Sequence, residues 1–279
     1  MKIGVVGLGS IGKRHVTNLL VMGGHDILGC DARIGTDDWM SGLPIQAVSS
    51  PSYLLDWGPE AVLICTPPES HCPLALQALE VGAHVFIEKP IACHGWEIPA
   101  VLRKANKLKV QLAIGYQLRF SSLGIEPHVY DQVLRITHAQ NMSKWSSTYP
   151  KQVLGEYSHE IDLACFLNGP AEKVVARQRD HGLRWNIELR HLHGASRIQL
   201  YAGETPYLRT IDASRGGRWM FEQESNDQAY KDELQAFLNA CQYGHWDERL
   251  CSGVQAEHVM RIIEAAELSA ETYRVVSLA

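Results

Sequence analysis

Short apolar segments alternate with helical patterns through residues 1–115, and this alternation restricts the fold more than any other feature of the chain. Such segments are typical of strands buried on both faces of a sheet. We predict strands at Ile3–Val6, Asp26–Cys30, Ala61–Cys65, His84–Ile87 and Val110–Ile114, and helices at Ile11–Met22, Pro73–Val81 and Trp96–Leu108. The order of these elements predicts an α/β fold with a doubly wound parallel sheet and right-handed crossovers.

The pattern changes after Gly115. An irregular stretch and one helix, near Val153–Leu167, precede short alternating segments that are typical of a mostly antiparallel open sheet. These predicted strands are Lys173–Arg179, Trp185–His191, Ser196–Tyr201, Leu208–Ala213 and Arg218–Phe221. Two helices, Gln228–Cys241 and Val254–Thr272, and a strand-like tail close the chain. We therefore expect two domains, residues 1–118 and an α+β domain of residues 119–279.

Charge and cysteine usage narrow the class of partner. Lysine plus arginine (26) nearly balance aspartate plus glutamate (31), which gives no electrostatic case for nucleic acid or an anionic membrane. No run of 18 apolar residues occurs, so a cytoplasmic protein with a small-molecule partner is expected. The seven cysteines lack C-x-x-C spacing and are predicted to be reduced thiols without a metal. His191 and His193 are predicted to lie on a solvated strand face.

A glycine-rich turn follows the first predicted strand and opens the first helix. Its sequence is Gly7-Leu8-Gly9-Ser10-Ile11-Gly12. In a dinucleotide fingerprint the first glycine permits the tight turn, the second lets the backbone approach a pyrophosphate, and the third allows close packing of helix and strand. The helix N-terminus supplies amide donors for the phosphates. The alternative is an ordinary glycine-rich turn, but the flanking strand and helix favour a dinucleotide site.

Asp31 ends the second predicted strand, where a carboxylate accepts hydrogen bonds from the ribose hydroxyls and repels a 2'-phosphate. This position favours NAD over NADP. Arg33 leaves NADP open, because a guanidinium can pair with a 2'-phosphate. Taken alone, Asp31 is also typical of an aspartate that starts a turn.

The segment Cys65-Thr66-Pro67-Pro68-Glu69-Ser70-His71 leaves the next predicted strand. It is either a simple turn, with Ser70 or Glu69 capping the following helix, or part of the nicotinamide site. The second interpretation follows from its place at the carboxyl edge of the sheet, where ligands of such sheets bind.

Glu88-Lys89-Pro90 ends the strand after that. Oxidation of a secondary alcohol by a nicotinamide needs a proton acceptor and a group that stabilises the developing alkoxide. The ammonium of Lys89 suits the second role, and Pro90 stiffens the turn that carries it.

The first role points to the predicted helix near His159. Glu156, His159 and Asp162 are successive i, i+3 neighbours if this helix is continuous. Histidine titrates near neutral pH and can exchange a proton, and a carboxylate partner would fix its tautomer. The alternative is a helix N-terminus with acidic residues placed for the macrodipole and a buried structural histidine.

The order of these motifs resembles the glucose-fructose oxidoreductase and inositol dehydrogenase family, Gfo/Idh/MocA, over nearly the whole chain. The motifs are the glycine turn, Asp31, the T-P-P-x-x-H segment, Glu88-Lys89-Pro90, Gly115-Tyr116-Gln117-Leu118-Arg119-Phe120 and Ser158-His159-Glu160-Ile161-Asp162. The last two are most similar to a branch associated with nonulosonic acid and other surface-sugar biosynthesis.

The resemblance implies a Rossmann domain followed by a mixed-sheet domain that builds homodimers or homotetramers. It implies catalytic roles for Lys89 and His159 on a sugar-like substrate, and contacts from Glu88 and Gln117 to the cofactor. The family's usual aspartate four residues before the histidine is Gly155 here, which leaves Glu156 or Asp162 to orient His159.

The stretch between Phe120 and Tyr149 is short for the family. Arg119, Trp145 and Tyr149 are candidates for substrate contacts there, with interdomain packing as their alternative role. We therefore predict an NAD(P)-dependent dehydrogenase or reductase acting on CH-OH groups of a sugar, polyol or sugar nucleotide. A non-catalytic dinucleotide-binding regulator or scaffold of the same fold is the alternative.

Overall fold

The computed structural model describes residues 1–33, 44–121, 132–141, 153–203, 206–214, 217–221 and 227–278. The chain forms two compact units. The first is Met1–Gln117 with Tyr230–Ala256, and the second is Leu118–Ala229 with Glu257–Ala279. The segment Tyr230–Ala256 thus returns to the first unit, whereas the sequence analysis assigned it to the second domain.

Within the described ranges, the sheet of the first unit has seven strands. They are β1 (Lys2–Val6), β2 (Asp26–Cys30), β3 (Gln46–Val48), β4 (Ala61–Ile64), β5 (His84–Glu88), β6 (Leu112–Gly115) and β13 (Cys251–Ser252), in the order β13-β6-β5-β4-β1-β2-β3. Strands β1 to β6 pair in parallel, which confirms the predicted doubly wound sheet. The antiparallel strand β13 pairs with β6 and was not predicted, because two residues carry no periodicity.

The helices of this unit follow the strands. They are α1 (Ser10–Met22), α2 (Pro51–Asp56), α3 (His71–Glu80), α4 (Ile98–Leu108) and most of α7 (Asp227–Tyr243). The central residues of β1, β4 and β5 are apolar and buried because helices cover both faces of such a sheet. Val5, Leu63 and Phe86 have no exposed surface.

The second unit contains a mixed sheet of seven strands in the part of the chain that the structure describes. They are β7 (Gln132–Ala139), β8 (Ala171–Arg179), β9 (Arg184–His191), β10 (Gly194–Tyr201), β11 (Leu208–Ala213), β12 (Gly217–Phe221) and β14 (Val276–Ser277), in the order β12-β11-β7-β10-β9-β8-β14. The pairing of β7 with β10 is parallel, and the other described pairings are antiparallel, as predicted for most of the sheet.

Strand β7 corrects the sequence analysis, which predicted an irregular stretch there. Its side chains alternate between the buried Leu134 and Ile136 and the exposed Arg135, so it fits a half-buried sheet. The helices α5 (Val153–Glu156) and α6 (Ser158–Asn168) replace the single helix predicted at Val153–Leu167, and α8 (Gly253–Thr272) is the last helix. None of the described helices is both long and apolar enough to span a membrane.

Candidate active site and dinucleotide site

The three glycines of the turn between β1 and α1 do three different things. Gly7 has a φ of +88°, and a Cβ on it would lie 2.7 Å from the backbone carbonyl of Cys65. A Cβ on Gly12 would overlap the carbonyl oxygen of Gly7. Around Gly9, by contrast, no described heavy atom lies within 4 Å of the Cβ position. The first and third glycines are thus required by the fold, and Gly9 leaves space above the turn.

Gly9 is also the N-cap of α1, where the first amides of a helix need acceptors. The described residues supply no side-chain cap and no acidic residue in the first turn, which contains Ser10 and Ile11. These amides and the space at Gly9 fit a pyrophosphate. The amide of Leu8 is used differently, because it donates to Asp31 Oδ2 at 2.9 Å.

Asp31 is held at the end of β2 by Arg33. The Nε of Arg33 donates to Oδ1 and its Nη2 to Oδ2, both at 2.9 Å, and the Arg33 amide donates to Oδ1 at 3.0 Å. The Arg33 guanidinium, with smaller help from the amides of Arg33 and Leu8, lowers the pKa of Asp31 to about 2 against the opposing effect of burial. The carboxylate is therefore charged at neutral pH, as an acceptor for ribose hydroxyls must be.

The segment after β4 is bonded internally. Ser70 Oγ donates to Thr66 Oγ1 at 2.7 Å and contacts the Pro67 carbonyl at 2.8 Å. Ser70 is the N-cap of α3 by position, but its side chain makes no capping bond, so the predicted cap is wrong. The reason is that the hydroxyl is already used within the turn. Cys65 is buried, which raises the pKa of its thiol well above the ordinary value.

His71 joins this segment to the one that follows β5. Its Nδ1 lies 2.8 Å from the Pro90 carbonyl oxygen and its Nε2 lies 2.7 Å from that of Thr66. Burial lowers the pKa of His71, and the two carbonyls oppose this lowering in part. A neutral ring donates to one of these carbonyls, and a protonated ring donates to both.

Glu88 and Lys89 stand at the carboxyl end of β5. Glu88 is buried, and its Oε1 accepts a hydrogen bond from His15 Nε2 at 2.7 Å. The Lys89 amide donates to Glu88 Oε2 at 3.2 Å, and the Lys89–Pro90 peptide is cis. Gly115 on β6 leaves room for the carboxylate, since a Cβ there would lie 3.1 Å from it. Lys89 itself is half-buried at this edge.

Sequence reasoning missed His15 and Tyr230. His15 lies on the buried face of α1 with Gly12, Val16 and Leu19, so a histidine on an apolar helix face was the available signal. Tyr230 lies on α7, and no local sequence pattern could link it to residues so far away in the chain. Its hydroxyl accepts from Gln117 Nε2 at 2.8 Å.

Gln117 was predicted to contact the cofactor, and the structure buries it beside Tyr230. The preceding residue is fixed in a similar way, because the Tyr116 amide donates to Glu233 Oε1 at 2.7 Å. Both contacts tie the end of β6 to α7.

In the second unit, His159 lies in the first turn of α6 and is buried. Tyr157 breaks the helix just before it, with φ −92° and ψ 15°. Glu156 therefore belongs to α5, and the predicted continuous face of Glu156, His159 and Asp162 is wrong. The break lets the Tyr157 hydroxyl donate to the Tyr201 carbonyl at 2.8 Å.

Both oxygens of Asp162 accept from Arg119. Nε donates to Oδ2 at 2.8 Å and Nη2 to Oδ1 at 2.6 Å, and the two side chains are 1% and 2% exposed. Arg119 also stacks over the Phe166 ring, 4.9 Å from its centroid. Arg119 is thus buried in a bidentate ion pair. Trp145 and Tyr149, the other predicted substrate contacts, lie outside the described residues.

Glu160 is the buried carboxylate that the sequence analysis did not single out. Its Oε1 lies 2.9 Å from His138 Nδ1 and 2.9 Å from Arg209 Nε. Burial raises the pKa of Glu160, but these two neighbours outweigh burial and hold the pKa well below its usual range. The alternation of His138 and Arg209 with apolar neighbours on two strands was the only sequence signal for this cluster.

His191 corrects the prediction of a solvated strand face. It is buried, with Nδ1 2.7 Å from the Gly169 carbonyl oxygen and Nε2 2.9 Å from Ser196 Oγ. The odd-numbered residues of β9 are buried along the strand, and the carbonyl that His191 contacts belongs to Gly169, the C-cap of α6.

Comparison with known proteins decides the class of the first unit. Residues 1–116 match the sequence model of GFO_IDH_MocA, an oxidoreductase family with an NAD-binding Rossmann fold. Residues 1–116 thus form an NAD-binding Rossmann domain that is similar to the one of this family. The glycine turn, Asp31 and the open N-terminus of α1 described above are the parts of this Rossmann domain that suit a dinucleotide.

Individual relatives agree with this assignment. The chain is 30% identical over 125 residues to the myo-inositol 2-dehydrogenase of Thermotoga maritima, covering 43% of this chain and 37% of that protein. It is also 30% identical over 130 residues to the scyllo-inositol 2-dehydrogenase (NAD(+)) of Bacillus subtilis, covering 43% and 36%. The matches therefore span little more than a third of the length of these curated relatives.

The fold similarity extends beyond the Rossmann domain. A solved structure of a probable dehydrogenase from Thermotoga maritima superposes with a TM-score of 0.85 at 23% identity, and it covers 100% of this chain and 99% of that one. The second unit thus also has the fold of this structure.

Proposed function

We propose that this protein is an NAD-dependent dehydrogenase or reductase that transfers a hydride between nicotinamide and a hydroxyl or keto carbon of a polyol, sugar or sugar nucleotide. The observation that carries the proposal is the position of Lys89. It lies at the carboxyl end of β5, in the same sheet as the dinucleotide turn after β1, where ligands of such sheets bind.

Each catalytic residue has one role in this proposal. Bound NAD would supply the hydride acceptor at its nicotinamide ring. Lys89 binds the reacting oxygen and stabilises the charge that develops on it. His159 takes the hydroxyl proton during oxidation and returns it during reduction.

Glu160 is a third carboxylate that can act on His159, beside the two predicted ones. Asp162 has both oxygens on Arg119, and Glu156 lies beyond the helix break. Glu160 adjoins His159 in sequence and keeps its negative charge, since its pKa lies well below its usual range. We propose that this charge favours the imidazolium that His159 becomes when it accepts a proton.

The substrate class follows from the relatives. Two of them, from Thermotoga maritima and Bacillus subtilis, are named for inositols, which supports a polyol. The L-R-F segment and the S-H-E-I-D helix support the narrower proposal of a surface-sugar substrate such as a nonulosonate precursor. Arg119 is a poor candidate for a substrate contact because Asp162 occupies its Nε and Nη2. Trp145 and Tyr149 stay candidates.

We also propose that the protein forms a homodimer, or a homotetramer built from such dimers, through the outward face of its second sheet. Arg197 on β10 is the cross-strand neighbour of Arg135 on β7 and of Glu188 on β9. All three line a shallow depression of about 630 Å³ on this face. A two-fold contact can place an arginine of one copy opposite a carboxylate of the other. Light scattering should show a dimer that Arg197→Glu dissociates, and a monomeric parent would contradict this.

A regulator or scaffold that binds NAD without turnover is the second candidate. Gly155 stands where the family usually has an aspartate, and the helix break at Tyr157 separates Glu156 from His159. Under this alternative NADH binds, but no substrate is turned over.

A turnover screen separates the two candidates. Inositols, aldoses and nucleotide sugars are tested with NAD, and the corresponding keto compounds are tested with NADH. Activity on any of them supports the enzyme. Lys89→Met and His159→Asn should each lower kcat by roughly 10²- to 10⁴-fold. Lys104→Met, which removes an ammonium paired with Glu80 on the surface, is the control and should leave kcat unchanged. Unchanged turnover in both test variants would overturn the assigned roles.

A further inference from the structure

Lys89 lies between two residues that are each held by a buried histidine. On one side the Glu88 carboxylate accepts from His15 Nε2 at 2.7 Å, and on the other the Pro90 carbonyl lies 2.8 Å from His71 Nδ1. His15 and His71 are 0% and 1% exposed. We propose that these histidines are positioning residues for Lys89, an inference that rests on the proposed function of that lysine.

The contact through Glu88 links Lys89 to helix α1. His15 sits on the buried face of this helix, and its ring meets Phe86 edge-on at 5.5 Å and Tyr230 at 6.0 Å. The imidazole therefore has a fixed position from which to hold Oε1 of Glu88. The second oxygen of the same carboxylate accepts from the Lys89 amide at 3.2 Å. Loss of the His15 contact therefore shifts the Glu88 carboxylate, and with it the Lys89 backbone that carries the lysine side chain.

The contact through His71 fixes the other side of Lys89. The same ring lies 2.7 Å from the Thr66 carbonyl oxygen, in the segment after β4. His71 therefore links the turn that follows Lys89 to the carboxyl end of the neighbouring strand β4. This link fixes the distance between the two turns. Because a displacement of about 1 Å at a catalytic group can cost 10²-fold in rate, such ties have a measurable effect on turnover.

A pair of variants at each histidine separates positioning from a purely structural role. His15→Gln keeps an amide donor with the reach to meet Glu88, and His15→Asn has the same chemistry but is shorter. His71→Asn and His71→Gln form the matching pair with the roles reversed, because the Asn amide nitrogen takes the place of Nδ1, which meets the Pro90 carbonyl, and the Gln amide nitrogen takes the place of Nε2. His15→Gln and His71→Asn are thus the contact-keeping variants, and His15→Asn and His71→Gln are the contact-losing variants. His191→Gln and His191→Asn are the control pair in the second unit, since His191 is also buried and also contacts a carbonyl oxygen.

Two readouts are needed, and the first uses no cofactor or substrate. The rate at which an amine-acylating reagent labels Lys89, relative to Lys104 in the same sample, is measured by mass spectrometry of the peptides. We expect the ratio to change at least about threefold in both contact-losing variants, and the contact-keeping variants to stay near the parent. The second readout is kcat against the dissociation constant of NADH. His15→Asn and His71→Gln should lower kcat by roughly 10²-fold with NADH binding within about threefold of the parent.

The outcomes distinguish a wrong positioning role of the two histidines from a wrong proposed function of the protein. If no turnover is found for any variant, the labelling ratio alone still tests positioning. If the parent turns over substrate but the contact-losing variants keep the parent's kcat and labelling ratio, the positioning role is overturned. It is also overturned if both variants at one histidine lose stability and activity alike, or if a contact-losing variant does not fold while its contact-keeping partner departs from the parent in labelling ratio.

Discussion

Arg119 and Asp162 form a bidentate ion pair inside the second unit, with Arg119 Nη2 2.6 Å from Asp162 Oδ1. Neither side chain is more than 2% exposed. The pair anchors the segment after β6 to the middle of α6, the helix that carries His159. We therefore expect the pair to support the helix that carries this part of the candidate site.

Removing one member of this pair should strongly lower the free energy of unfolding. Arg119→Met leaves the Asp162 carboxylate buried without its guanidinium, and we expect the free energy of unfolding to fall by about 3–5 kcal/mol. The double variant Arg119→Met with Asp162→Leu should be clearly more stable than Arg119→Met, because no uncompensated charge remains. Urea denaturation measures both. A loss below about 1 kcal/mol in the single variant would contradict the buried pair.

Asp31 should determine the preference between the two dinucleotides. Asp31→Ser removes the acceptor for the ribose hydroxyls and the charge that repels a 2'-phosphate, while Arg33 stays in place. We expect the ratio of the NADPH to the NADH dissociation constant to fall at least about tenfold. Fluorescence titration measures it, with Asp26→Ser at the exposed start of the same strand as the control. An unchanged ratio would show that Asp31 does not read the ribose.

Substitution of Gly9 by alanine should weaken dinucleotide binding without affecting folding. A methyl group at Gly9 meets no described atom, so Gly9→Ala should keep the melting temperature close to the parent's. It would enter the space assigned to the pyrophosphate, and we expect NADH binding to weaken at least about tenfold. Gly203→Ala, at another glycine with open space around it, is the control. Parent-like NADH binding by Gly9→Ala would place the pyrophosphate elsewhere.

Stability should decline as the solution becomes acidic. Burial lowers the folded-state pKa of His71 and of His191, so the unfolded chain binds more protons than the native chain once the pH falls below the ordinary histidine value. The free energy of unfolding should therefore decrease from about pH 7.5 to about pH 5.5. His191→Gln should make this dependence shallower, and His245→Gln at an exposed site should not. A steeper or equal slope in His191→Gln would contradict the sign.

The Rossmann half could be predicted from the sequence because its signals are local. The strand His84–Glu88 is apolar from residue 85 to residue 87, and the glycine turn lies between a strand and a helix. The contacts that fix Glu88 could not be predicted in the same way. Three described strands (β2, β3 and β4), the helices α2 and α3 and their loops separate His15 from Glu88, and only the finished sheet brings the two side chains together.

In the second unit, too, some elements could be predicted from the sequence and others could not. Its strands were predicted from alternation, but β7 was missed, and the helix at His159 was predicted as continuous although it breaks at Tyr157. The break is stabilised by a hydrogen bond to Tyr201, a contact of high sequence separation. The charged cluster around Glu160 could not be predicted because its partners, His138 and Arg209, lie on two separate strands.

Direct detection of hydride transfer is the most decisive measurement. The protein is incubated with NAD and with inositols or sugars deuterated at the reacting carbon, and proton NMR follows the nicotinamide C4 position. We predict that deuterium appears at C4 with at least one such substrate, and that Lys89→Met slows its appearance by roughly 10²-fold or more. Absence of deuterium at C4 across the panel, in a protein that binds NADH, would contradict the dehydrogenase and favour a non-catalytic role.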